Sequence, residues 1–207
     1  MIRTALALIA AAALLAACED GGTIDRLLPE RSFTIASTSM EPTLPRGTRI
    51  TAERVGPAEV ARGDILLLRD QRGETYVFRL VGLPGDSIEL RGGMLVLNGV
   101  PAPQTPHGTY TVAGSEAADA PYPPQTMARL GETLPGSATS HDILDLGTTA
   151  ADDFGPVTLG TEEYFLLGDN RDDAADSRFG PVPMGLGIVR ADQILRRAML
   201  PEGSAAR

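Results

Sequence analysis

Glycine (23) and proline (16) interrupt this 207-residue chain too often for long helices. They come in tight clusters, among them Pro84-Gly85, Gly92-Gly93 and Asn98-Gly99. Proline cannot continue a helix, and glycine supplies the positive φ of tight turns. Short strands joined by turns are therefore expected, in a mostly β fold. Aromatic residues make up 4% and tryptophan is absent, so the core must rest on Leu, Val, Ile and Ala. The length allows one to two domains.

Strand patterns follow one another. Residues 32–36 and 49–55 carry apolar side chains at alternate positions, while 65–69 is a continuous apolar run, as in a strand buried on both faces. Residues 75–83 are rich in β-formers. Residues 87–90 and 94–97 flank Gly92-Gly93, a hairpin signal. After Val100 the composition shifts. Residues 101–156 are crowded with Pro, Gly, Thr and Ala, their apolar periodicity weakens, and they read as a small inserted β-rich subdomain. Strands resume at 156–159 and 163–167. Residues 187–196 form either a closing strand or a short helix, and 201–207 read as a polar tail.

The N-terminus carries a second signal. Arg3 precedes an apolar run, Ala5 to Ala17, then Cys18. The run is shorter than the ~20 residues that span a bilayer as a helix and fits the apolar region of an export signal. Leu15-Ala16-Ala17-Cys18 resembles the lipobox of bacterial lipoproteins. That resemblance implies cleavage before Cys18, lipidation of its sulfur and a membrane anchor; the alternative is an uncleaved N-terminal anchor with an incidental cysteine. Residues 18–31, with Gly21-Gly22 and Pro29, read as a tether. The net charge of −9 and the lack of a basic stripe argue against nucleic acid as a partner. No metal-ligand spacing or phosphate-binding loop appears, so no cofactor is expected.

The segment with most chemical content is Ser37-Thr38-Ser39-Met40-Glu41-Pro42-Thr43-Leu44. Pro42 and Pro45 keep Ser39 on an extended or looping stretch. Three further segments follow: Arg62-Gly63-Asp64-Ile65-Leu66; Arg79-Leu80-Val81-Gly82-Leu83-Pro84-Gly85-Asp86; and Gly168-Asp169-Asn170-Arg171-Asp172 with Asp176-Ser177-Arg178. In this order and spacing the four segments resemble the boxes of the signal peptidase I family, serine peptidases that use a Ser/Lys dyad. Glu132-Thr133-Leu134-Pro135-Gly136 and His141-Asp142-Ile143-Leu144 are similar to a tract of that family's second domain. The resemblance runs from about Ser32 to Ala191. It implies a signal peptidase I-like β-fold, with residues 32–100 and 157–200 as the catalytic-type domain and 101–156 inserted. It also implies a periplasm-facing position in a bacterial envelope, and signal peptides of exported proteins as partners.

Position by position, the resemblance makes Ser39 the acylating nucleophile. Ser37 and the backbone N–H of Ser39 would form the oxyanion hole, whose donors are typically worth ~3 kcal/mol each. Met40 packs beside the nucleophile, and Arg79, Asp169, Arg171, Asp176 and Arg178 brace the site. The departure lies at the base. The family's lysine precedes the arginine matched by Arg79, which places it at Phe78. The chain has no lysine at all: every basic residue among its 18 is arginine. Codon bias toward arginine would convert lysine to arginine, not phenylalanine. The serine that orients the lysine falls at Ala174. Arg79 cannot substitute, because a guanidinium stays protonated. Three functions follow from these residues: a signal peptide-cleaving endopeptidase with an altered base, a catalytically silent relative that binds extended peptides by strand addition, and a lipoprotein that merely inherited the fold.

Overall fold

The computed structural model describes residues 30–70, 72–114, 123–180 and 185–200. The chain divides into two compact units, Met1–Arg31 and Ser32–Arg207. Of the first, only Glu30 and Arg31, in extended conformation, lie among the described residues. The expected export signal, Cys18, all but the last two residues of the tether, and the tail at 201–207 fall outside them. No helix of the described residues is long and apolar enough to cross a membrane.

The described residues form fourteen strands and no α-helix. The strands are β1 (Glu30–Thr34), β2 (Arg49–Arg54), β3 (Ile65–Arg69), β4 (Thr75–Gly82), β5 (Ser87–Arg91), β6 (Met94–Leu97) and β7 (Val100–Pro101). They continue as β8 (Gln104–Val112), β9 (Gln125–Thr133), β10 (Ser140–Asp145), β11 (Phe154–Thr158), β12 (Glu163–Leu167), β13 (Val189–Arg190) and β14 (Ile194–Met199). Three sheets result. A seven-stranded sheet runs β1-β2-β14-β3-β4-β12-β13, a four-stranded one β11-β5-β6-β7, and a three-stranded one β10-β9-β8.

The mostly β expectation holds, with differences in detail. β5 and β6 pair across Gly92-Gly93, both glycines at positive φ, as the hairpin signal requires. Residues 187–196 are neither one strand nor an α-helix. A 3-10 turn at Ala191–Gln193 separates β13 from β14, and Gln193 Oε1 holds it by accepting the Arg190 N–H at 2.8 Å. The strand expected at 156–159 begins earlier, at Phe154, and bulges against β5 between Phe154 and Val157. Two long strands, β8 and β9, lie where periodicity is weakest. β8 is mostly exposed and carries Pro106 and Gly108 at a register shift, so it shows no apolar alternation.

β4 positions the site. Alternation along a strand sends neighbouring side chains to opposite faces. Phe78 and Leu80 join the core of the seven-stranded sheet with Leu66, Met40 and Ala174. Val81 joins a second core, with Ile88, Leu95 and Phe165 against the four-stranded sheet. Contact between these layers is close at Gly82, where a Cβ would meet Ile88, Leu159 and Phe165 at 2.8 Å each. Arg79, on the face opposite Phe78, points to Asp169.

Candidate active site

Ser39 sits on the loop after β1, half-buried, between buried Thr38 and Met40. Two bonds from Asn170, one from its backbone and one from its side chain, set its place. The N–H of Asn170 donates to the Ser39 carbonyl at 3.0 Å, and Asn170 Nδ2 donates to the Thr38 carbonyl at 3.2 Å. The residue after β12 is Gly168, and no larger residue fits there. A Cβ at this position would stand 2.3 Å from Ala174 Cβ and 2.7 Å from the Ser39 carbonyl oxygen.

The Ser39 hydroxyl donates to the backbone carbonyl of Asp173 at 3.2 Å. Among the described residues its hydrogen bond goes to no side chain. Beside it lies an apolar cavity of about 330 Å³, lined by Ser37, Ser39, Met40, Tyr76, Phe78 and Ala175 among others. Ser37 is exposed. Phe78 is 3% exposed and stacks with Tyr76, ring centroids 6.3 Å apart. Phe78 also lies close to Gly168, 3.6 Å from where a Cβ there would be. The aromatic bulk of Phe78 thus forms part of the wall of the cavity that Ser39 also lines.

Ion pairs hold the loops behind this wall. Arg79 donates to both oxygens of Asp169, Nε at 2.8 Å and Nη2 at 2.6 Å, and to the Gly63 carbonyl at 3.0 Å. Thr43, four residues from Ser39, donates to the same carboxylate at 2.5 Å. Burial alone would raise the Asp169 carboxyl, but the charge and hydrogen bonds of Arg79 outweigh it, leaving the group below its ordinary value. Arg178 is forked onto Asp176, both bonds at 2.9 Å, and the Gly168 N–H donates to Asp176 at 3.0 Å. Arg171 pairs with Glu132, which is fully buried. Burial pushes the Glu132 carboxyl up, and the Arg171 charge more than reverses this. These carboxylates are neutralised partners rather than free proton acceptors.

The histidines lie elsewhere. His141 Nε2 is 3.5 Å from Glu132 Oε1, outside hydrogen-bond geometry, and is buried without a hydrogen-bond partner among the described residues. Burial, followed by the nearby Arg79 charge, pushes its pKa down to about 4. His107 is bonded to Asp142 at 2.7 Å, which also takes Arg129. Three residues that meet here carry no distinguishing mark in the sequence: Thr38, Thr43 and Asp173. Their signal was proximity alone, Thr38 and Thr43 lying inside the Ser39 segment and Asp173 just before Ala174. Among the described residues no group of three or more metal-capable side chains converges.

Comparison with known proteins decides the ancestry. The family model described as "Signal peptidase, peptidase S26" matches residues 2–201. The chain belongs to this signal peptidase family. Signal peptidase I from Bacillus licheniformis is 31% identical over 162 residues, 76% of this chain and 68% of that protein. Signal peptidase I S from Bacillus subtilis (strain 168) is 32% identical over 166 residues, 78% of this chain and 71% of that protein. A solved signal peptidase I from Enterococcus faecalis V583 shares 26% identity, covering 66% of this chain and 93% of that one, with a TM-score of 0.35.

Proposed function

We propose that this signal peptidase-family chain is a serine endopeptidase for signal peptides of exported proteins, with Ser39 as nucleophile and its lysine base lost. The observation that carries this reading is the half-buried Ser39 beside an apolar cavity, with Phe78 where the family's amine would stand. An extended peptide would lie along the loop after β1, its small side chains entering the cavity. Ser37 and the Ser39 N–H would receive the developing oxyanion. Ala174 takes the place of the serine that would orient a lysine. Arg79, Asp169, Arg171, Asp176 and Arg178 hold the loops and take no part in proton transfer. Losing a general base costs about 10²- to 10⁴-fold, so turnover is slow.

The packing of Phe78 favours a second reading, a catalytically silent peptide binder of the same fold. Cleavage of a signal-peptide substrate by the purified protein, and its abolition in Ser39→Ala, decides between them. Equal inertness of both proteins removes the peptidase reading. We further propose that Cys18 is lipidated and holds the domain on a membrane surface facing the periplasm. Loss of lipid labelling in Cys18→Ser is the expected result, and persistent labelling overturns it.

A further inference from the structure

We propose that Asp173 takes the proton of Ser39 in this chain, a carboxylate replacing the missing amine; this rests on the peptidase reading above. Asp173 touches both hydroxyls of the Thr38-Ser39 pair. Its backbone carbonyl accepts from Ser39 Oγ at 3.2 Å, and its carboxylate Oδ2 accepts from Thr38 Oγ1. The turn that carries it is tied to the nucleophile loop. The Asp173 N–H donates to the Asn170 carbonyl at 3.1 Å, and Asn170 N–H donates to the Ser39 carbonyl at 3.0 Å. The backbone of Asp173 is thus held against the loop that carries Ser39.

Other carboxylates nearby are spoken for. Asp169, Asp176 and Glu132 each face a buried guanidinium. Asp172 accepts from the Leu146 N–H and the Thr149 hydroxyl. The Asp173 carboxylate instead bonds a hydroxyl, and the residue is exposed. Exchanging Thr38 for Ser39 as its partner needs a side-chain rotation, a picosecond-to-nanosecond event at a surface.

The step balances. Ser39 Oγ bonds to the scissile carbonyl carbon while its proton passes to the Asp173 carboxylate. The resulting acid protonates the amine nitrogen as the C–N bond breaks. The carboxylate then takes a proton from water as that water attacks the acyl-serine, and the proton returns to Ser39 Oγ as the ester breaks.

Asp173→Asn is the discriminating variant. Its amide oxygen still accepts the Thr38 hydroxyl and its backbone carbonyl is unchanged, but it cannot hold a proton as a base. The assay measures kcat and KM for the full chain on a signal-peptide substrate, with Asp173→Glu and Ser39→Ala alongside. The expected result is a kcat lowered about 10²-fold or more in Asp173→Asn, KM little changed, and partial activity in Asp173→Glu. A wild-type kcat in Asp173→Asn overturns the assignment while leaving the peptidase reading intact. A raised KM with kcat unchanged also overturns it, since Asp173 is then only a loop staple. An inert wild type removes the peptidase reading and this proposal with it.

Discussion

Asp169→Asn tests whether the buried Arg79–Asp169 pair holds the loop that carries Ser39. The substitution keeps the shape but removes the charge that receives two Arg79 bonds and one from Thr43. Arg79 is 5% exposed and Asp169 1%, so the stranded guanidinium cannot recover its hydration. Removing one partner of a buried pair typically costs about 3–5 kcal/mol. At 2–4 °C per kcal/mol for a domain of this size, melting should fall by about 6–20 °C. The loss should also depend on pH. Asp169 has a lowered carboxyl in the folded state, so its stabilisation is present above the unfolded value near ~3.9 and fades as pH falls through the folded one. Wild type and variant therefore converge in acid. Urea unfolding at neutral and acidic pH measures both effects. A loss below about 1 kcal/mol at pH 7, or a gap independent of pH, would refute the reasoning.

Other perturbations reach the same site by different routes. Gly168→Ala drives a Cβ into Ala174 and the Ser39 carbonyl; overpacking of this kind costs about 1–3 kcal/mol, and peptide binding measured by calorimetry should weaken. On the peptidase reading, Phe78→Lys with Ala174→Ser installs an amine and a hydroxyl to orient it, and a gain in cleavage rate with lower thermal stability is expected; an unchanged rate argues against a working groove. His141 is held neutral by burial, with a folded pKa of about 4 against an ordinary 6.5. Its contribution is present above 6.5 and lost as pH falls toward 4, on the order of 3 kcal/mol in all. His141→Gln should flatten the stability profile in that window, and an unaltered slope in denaturant titrations argues against it.

Much of residues 32–100 and 157–200 was legible because burial and turn chemistry agree there. β3 reads as Ile-Leu-Leu-Leu because four successive side chains are buried. β12 runs Glu163–Leu167, the bounds its apolar run implies. The hairpin at Gly92-Gly93 needed two positive φ values, and few sequences supply them so openly. The three-stranded sheet was harder. β8 exposes most of its residues, so its pairing with β9 leaves no periodic mark. Its specificity lies in pairs invisible to a linear reading, such as the His107 ring seated over Gly131, where a Cβ would lie 2.3 Å from it. Glu132 could not be read as fully buried from its own segment, because its partner Arg171 lies 39 residues on. Asp173 was hidden for the opposite reason. It is an exposed acid in an acidic chain, and only the fold brings residues 38–39 to it.

Three bonds that hold the Ser39 segment end on main-chain carbonyls: that of Ser39 accepts from the Asn170 N–H, that of Asp173 from the Ser39 hydroxyl, and that of Thr38 from Asn170 Nδ2. No side-chain atom of residue 78 or 174 takes part in them. Placement and activation are consequently separable properties of this scaffold. On the peptidase reading, a change at position 78 alters the activation of the serine without touching the bonds that place it. That makes the loop a platform on which a new proton acceptor can be installed by a single side-chain change.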